Sequence, residues 1–346
     1  MEILDQLGML DRFLRRPHSE IQHAELRMAG RNWVIGDLSH LNTPAPFIAI
    51  MPQWDFLDFI REEAIAYPGF RLEMSAPVSG MIEDGRKVVG VKLDDGREFH
   101  ARLCIAADGR TSMARRALPL QTLGAEIDVL WFRISKSSGG NQNGLRGNVV
   151  RGRILVMIDR TDYWQCAFVI AKGTAEDLKA QGIELMRAAI QQAAPDLDLS
   201  ELRNVEDLKL LSVALDRLER WWKPGLLAIG DAAHATSPIG GVGINLAVQD
   251  AVASANILSG PLAGGRDIDG LLNAVQDRRM LPTKVIQTIQ KLAQDRILGK
   301  VIEPGAPIGK APWIVRMLDR HPFLRRIPGR LVGLGVRRER VRSPAA

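Results

Sequence analysis

Only two cysteines occur in 346 residues, Cys104 and Cys166, which excludes a disulfide framework. Cys104 sits in the apolar run Leu103 to Ala107, so both thiols read as core residues of a chain kept in a reducing compartment, with the cytoplasm as the default. No uninterrupted run of about 18 apolar residues is present, which leaves no candidate membrane span. The opening MEILDQLGMLDRF is an acidic-leaning amphipathic helix and lacks the layout of a secretory leader. Zinc-ligand spacing is missing, and so is the aromatic pattern of RNA-binding modules, so neither a metal site nor a nucleic-acid module is expected. The chain also has no Ser-His-Asp arrangement, HExxH, phosphate loop with lysine or paired-carboxylate spacing to support hydrolytic or phosphoryl chemistry.

What is present is enough chain for two packed lobes with a soluble balance of apolar and charged residues. The net charge of +6 is uneven. Arginines crowd the C-terminal end at 325, 326, 330, 337, 338, 340 and 342, interleaved with Leu331, Val332 and Leu334. This basic end reads as a solvated face, with weak contact to an anionic membrane surface as the alternative.

The most informative stretch is Leu226 to Ala251, LLAIGDAAHATSPIGGVGINLAVQDA. The turn pair Pro224-Gly225 precedes an apolar run, Leu226 to Ile229, that predicts a buried strand. Gly230 and Asp231 fall at the strand end, where a carboxylate meets ligand hydroxyls at the carboxyl edge of a sheet. After Pro238, the glycines at 240, 241 and 243 keep side chains away from a helix start near Ile244. Backbone N–H groups there can face an anionic or electron-rich ligand atom.

Gly230, Asp231, Ala232, Ala233, His234, Pro238, Gly241, Gly243, Asn245, Asp250 and Ala251 stand in the register of a flavin-binding motif. The segment resembles the second such motif of the FAD-dependent aromatic hydroxylases, the family typified by para-hydroxybenzoate hydroxylase. Val242 departs from the polar residue many members carry between the two glycines. The resemblance implies that Asp231 bonds the ribityl chain of FAD. It also implies that the backbone of Gly241, Val242, Gly243, Ile244 and Asn245 faces the pyrimidine end of the flavin ring. His234 is expected to pack and bond the loop rather than titrate in catalysis.

Two further sites carry the resemblance. Asp108, Gly109, Ser112 and Arg115 spell Asp-Gly-x-x-Ser-x-x-Arg after the run Leu103 to Ala107, a second strand end and helix start, implied to lie near the FAD pyrophosphate. Gln53 matches a flavin-contacting polar residue ahead of a helix that places Phe56, Leu57, Phe59, Ile60 and Ala64 on its inner side. No Gly-x-Gly-x-x-Gly strand-turn-helix occurs, and residues 2–16 look like a later point of the family pattern. Three origins stay open, namely a late start, a decayed fragment, and a half-site on a separate polypeptide, with the first favoured. Tight FAD retention is expected to need that unit.

The resemblance implies an α/β (α+β) fold. A Rossmann-like FAD-binding part at 1–18, 53–118 and 216–300 is interleaved with a substrate-domain sheet at 19–52 and 119–215, ahead of a helical segment at 301–346. Single helices are expected over 2–16 and 175–194, and strands at 70–74, 129–134, 154–158, 164–170 and 208–215. The stretch from Ser137 to Gly147 reads as a surface excursion. Trp131, Phe132, Tyr163, Trp164 and Phe168 are possible pocket walls, although strand-spaced aromatics are more often core. The implied reaction is hydroxylation of an aromatic or quinone-like molecule, with NADH or NADPH as reductant and dioxygen delivered through a flavin C4a-hydroperoxide. A reductase or halogenase of the same fold, and a non-catalytic fragment that binds FAD poorly, remain as alternatives.

Overall fold

The computed structural model describes residues 1–28, 30–136, 144–150, 153–295 and 311–343. The chain forms two compact units, Met1–Asp58 with Ala125–Val213 and Lys291–Gly335, and Phe59–Gly124 with Ala214–Gln290 and Val336–Ala346. Residues 1–18, expected with the flavin-binding part, group with the first unit.

The first unit is built on a seven-stranded sheet. Its order is Lys209–Leu211, Ile127–Ser135, Tyr163–Ala171, Arg153–Asp159, Leu145–Val150, His23–Met28 and Arg31–Asp37. All neighbours pair antiparallel except Leu145–Val150 with His23–Met28. The period of two along the long strands decides which side is core. Leu130, Phe132, Ile134, Leu155, Met157, Trp164, Cys166, Phe168 and Ile170 pack against Met186, Ile190 and Ala193 of the helix Ile183–Ala193. Three of the five candidate wall aromatics, Phe132, Trp164 and Phe168, therefore fill the core. Trp131 and Tyr163 alternate with them and stay partly exposed.

Local chemistry accounts for several departures from the expected elements. The N-terminal helix splits into Glu2–Gln6 and Leu10–Leu14 around Gly8, whose φ of 66° has left the helical region. The helix expected over 175–194 breaks at Gly182, φ 88°, into Ala175–Ala180 and Ile183–Ala193. The stretch from Ser137 to Gly147 contributes Leu145 to Gly147 to a strand, and 137–143 lie outside the described residues.

In the second unit, Val78–Asp84, Lys87–Leu93 and Glu98–His100 form a meander joined at Gly85 and Gly96, both at positive φ, as the Asp-Gly pairs predict. The strand expected at 70–74 is absent. That segment has no ladder partner among the described residues, and Phe70, Leu72 and Met74 are exposed. A further sheet orders Trp222–Lys223, Leu226–Ala228 and Cys104–Ala106, the last two parallel. Gly225 is fixed by geometry: its φ is 74°, and a Cβ there would lie 1.9 Å from the Val88 carbonyl oxygen. The close approach lets Pro224 accept from the Val88 N–H at 2.9 Å and Gly225 accept from the Cys104 N–H at 2.9 Å. Leu226, Leu227 and Ala228 are buried with Leu218, Trp221, Leu258, Leu272 and Val275, the last three from the helices Gly243–Ala263 and Leu272–Ala293. The second of these runs through Pro282.

Candidate active site

Parallel pairing explains why two motifs far apart in sequence meet. Leu226, Leu227 and Ala228 lie opposite Cys104, Ile105 and Ala106, and the Ile229 N–H donates to the Ala106 carbonyl at 3.0 Å. Both strands thus end at one sheet edge, the usual ligand edge of a parallel sheet. Gly109–Thr111 and Gly230–Ala232 then turn as single 3₁₀ turns beyond it.

Arginines tie the two turns together. Arg110 Nε donates to Asp231 Oδ2 at 3.4 Å and Arg110 Nη2 donates to the Thr236 carbonyl at 3.1 Å. Arg115 Nη1 donates to the Asp231 carbonyl at 2.8 Å, while its Nη2 pairs with the Asp216 carboxylate. Arg115 is nearly buried, so its charge is spent on protein partners. Arg110, half-buried beside the Asp231 carboxylate, was not among the candidates. Its position directly after Gly109 in the motif was the available signal. Asp108 accepts from the Met113 N–H at 3.2 Å, and Ser112 Oγ accepts from the Ala114 N–H at 3.1 Å. These bonds satisfy the first turn of the helix Met113–Ala117.

The Gly230–Asp231 turn rests on a buried ionic cluster. Asp250 Oδ2 accepts from the Gly230 N–H at 3.0 Å and from His234 Nε2 at 2.6 Å, and Asp250 Oδ1 accepts from Arg279 Nε at 2.8 Å. His234 also packs against the Trp221 ring, with centroids 5.0 Å apart, as a loop-bonding residue does. Burial pushes the Asp250 carboxyl up, but His234 and Arg279 outweigh it and hold the group below the ordinary carboxylate range.

Past Pro238 the chain opens a cradle. Gly240 and Gly241 adopt φ of 80° and 61°, and a Cβ on Gly241 would meet nothing within 4 Å. Gly243 is needed for another reason: its Cβ would lie 2.8 Å from Thr236 Oγ1. Val242 and Leu246 turn inward, leaving Gly241, Ile244 and Asn245 exposed at the start of Gly243–Ala263. Among the described residues no side chain caps this helix, so its first N–H groups can meet a ligand. Open space over Gly241, an uncapped helix start, an exposed Ile244 and a carboxylate at Asp231 fit a flavin: apolar ring face, electron-rich ring edge and hydroxylated chain. Gln53, exposed at the first residue of the helix Gln53–Ile65, belongs to the first unit; Phe59 of that helix is buried, whereas Leu57, expected inward, is exposed.

The sequence profile described as FAD binding domain matches residues 1–289. The chain belongs to the FAD binding domain family. It is similar to 6-methylpretetramide 4-monooxygenase of Streptomyces rimosus, 31% identical over 353 residues that take in 99% of this chain and 82% of that protein. Rifampicin monooxygenase of Streptomyces venezuelae is 26% identical across 88% of this chain and 63% of its own length. Among solved structures, a probable FAD-dependent monooxygenase of Pseudomonas aeruginosa superposes with a TM-score of 0.71 over 87% of this chain and 84% of that one, at 20% identity. That level of identity speaks for the fold alone. The family and its named relatives make the chain a flavoprotein oxidoreductase of the monooxygenase type, and the α/β FAD-binding fold expected from the sequence is the one observed.

Proposed function

We propose that this chain is an NAD(P)H-dependent monooxygenase that hydroxylates an aromatic or quinone-like small molecule. The observation that carries the reading is the open, uncapped Gly241–Asn245 cradle beside the Asp231 carboxylate. Bound FAD supplies the redox chemistry that links the reduced nicotinamide to dioxygen. The protein's contribution is position and field. Asp231 accepts from hydroxyls of the bound cofactor, and Arg110, 3.4 Å away, orients that carboxylate. The N–H groups at the start of Gly243–Ala263, reinforced by the helix dipole, stabilise negative charge on the ring edge they face. Main-chain donors suffice for that task, so no acid or base is assigned at this edge. Ile244 offers an apolar contact that excludes water there. Gln53 is assigned to the same cofactor on the strength of its motif.

A relative named for its action on 6-methylpretetramide makes that compound the first substrate to offer. The purified chain, supplied with FAD, NADH or NADPH and labelled dioxygen, is expected to give a product heavier by one labelled oxygen atom. Consumption of the nicotinamide that depends on the substrate yet gives no labelled product would count against hydroxylation and favour a reductase.

A further inference from the structure

The chain's last described stretch is not a loose basic end. Val336 to Ser343 is fastened to two helices of the second unit by hydrogen bonds that the flavin motif does not explain. Gln249 Oε1 accepts from the Glu339 N–H at 3.1 Å; seven residues on, at the same side of that helix, Asn256 donates to the Arg340 carbonyl at 2.8 Å. Asn256 Oδ1 also accepts from the Arg342 and Ser343 N–H groups at 2.7 and 2.9 Å. Arg279 Nη1 donates to the Arg337 carbonyl at 3.3 Å. Among these arginines the segment buries an acid: Glu339 is 3% exposed. Its Oε1 accepts from Arg278 Nε at 2.6 Å and stands 3.6 Å from Arg279 Nη1.

Arg279 is wholly buried between two carboxylates, Asp250 at 2.8 Å and Glu339 at 3.6 Å, and its Nη2 has no hydrogen-bond partner among the described residues. A buried guanidinium without full compensation is costly, so how its charge is divided matters. If Glu339 loses its charge, Arg279 draws on Asp250 alone. That carboxylate is the same one that holds the Gly230 N–H and His234. A contiguous chain of charged bonds thus runs from the C-terminal segment to the turn that presents Asp231.

We propose that Glu339 is a positioning residue for the Gly230–Asp231 turn, acting through Arg279 and Asp250. The C-terminal segment is then a latch that sets how firmly the turn is held. This rests on the reading of that turn as part of the FAD site.

Glu339→Gln keeps the shape and removes the charge, while the double change of Gln249→Ala and Asn256→Ala alters no charged side chain but loosens the segment that brings Glu339 to Arg279. Amide hydrogen exchange at Gly230, measured without FAD, is expected to quicken about tenfold in both proteins, and FAD affinity, followed by quenching of FAD fluorescence, to weaken about tenfold. A protein that loses thermal stability yet keeps wild-type exchange at Gly230 and wild-type FAD affinity overturns the proposal and leaves Glu339 a structural ion pair. If Glu339→Gln fails to fold, the double variant decides on the same two readouts. If the wild-type chain shows no FAD binding, the functional reading fails, whereas exchange at Gly230 still decides whether Glu339 governs the turn.

Discussion

Replacing Asp250 with asparagine removes one negative charge from a site where three donors converge on a side chain with no solvent exposure. The asparagine carbonyl can still accept from one of them. Its amide, however, faces Arg279 or the Gly230 N–H with a donor in place of an acceptor. Breaking a buried pair by removing one partner costs about 3–5 kcal/mol, because the other charge is left uncompensated. At the 2–4 °C per kcal/mol typical of large domains, the unfolding midpoint should fall by roughly 6–20 °C. The assay is thermal unfolding of Asp250→Asn, Arg279→Met and the double variant. The double variant is expected to recover about 1–3 kcal/mol relative to the sum of the singles, since the two side chains touch. A single variant within about 1 kcal/mol of wild type would refute the claim that the cluster holds the turn. The sign with pH follows from the depressed Asp250 carboxyl. Its stabilisation is fully present above the unfolded carboxylate value of about 3.9 and is lost as pH falls through the lower folded value, so stability near pH 7 is insensitive to this group.

Further outcomes are expected elsewhere. Gly225→Ala places a Cβ 1.9 Å from the Val88 carbonyl at positive φ, and should cost at least about 3 kcal/mol or abolish soluble expression. Burial pushes the Cys166 thiol up to about 12 and raises the half-buried Cys104, so thiol reagents at pH 8 should label the native protein slowly and both cysteines promptly in denaturant. In the first unit, burial raises the Asp128 carboxyl, but the Gly173 N–H, the Lys172 ammonium and the Val213 N–H outweigh it and hold it low. Asp128→Ala should therefore destabilise by about 1–3 kcal/mol near neutral pH, a difference that shrinks as acid protonates the wild-type group.

The strand end, turn and helix start of residues 226–251 were legible because their chemistry is local. A strand end, a small-residue turn and a glycine-rich helix start must follow one another in sequence to make such a cradle. What joined the motifs was not legible: Arg110 and Arg115 sit on one short stretch, and only the parallel register sends the first toward the Asp231 carboxylate and the second inward to Asp216. The strand Leu145–Val150 escaped notice because Arg146, Gly147 and Asn148 break its apolar alternation, and tertiary pairing on both edges supplies what propensity does not. Glu339 was hidden among arginines, a context that reads as solvated until folding buries it. Single glycines at 8 and 182 cut two helices that apolar spacing alone would have run through.

The central claim is that Asp231 and the Gly241–Asn245 backbone hold FAD. Equilibrium titration of FAD fluorescence with the wild-type chain and with Asp231→Ala tests it most directly. Asp231 is part-exposed and its loss disturbs no core packing, so the variant should fold like wild type. Saturable quenching by wild type, weakened roughly 10–150-fold in Asp231→Ala as the loss of a charged hydrogen bond worth about 1.5–3 kcal/mol requires, is the predicted result. Equal binding by the two proteins, or none by wild type, would contradict it.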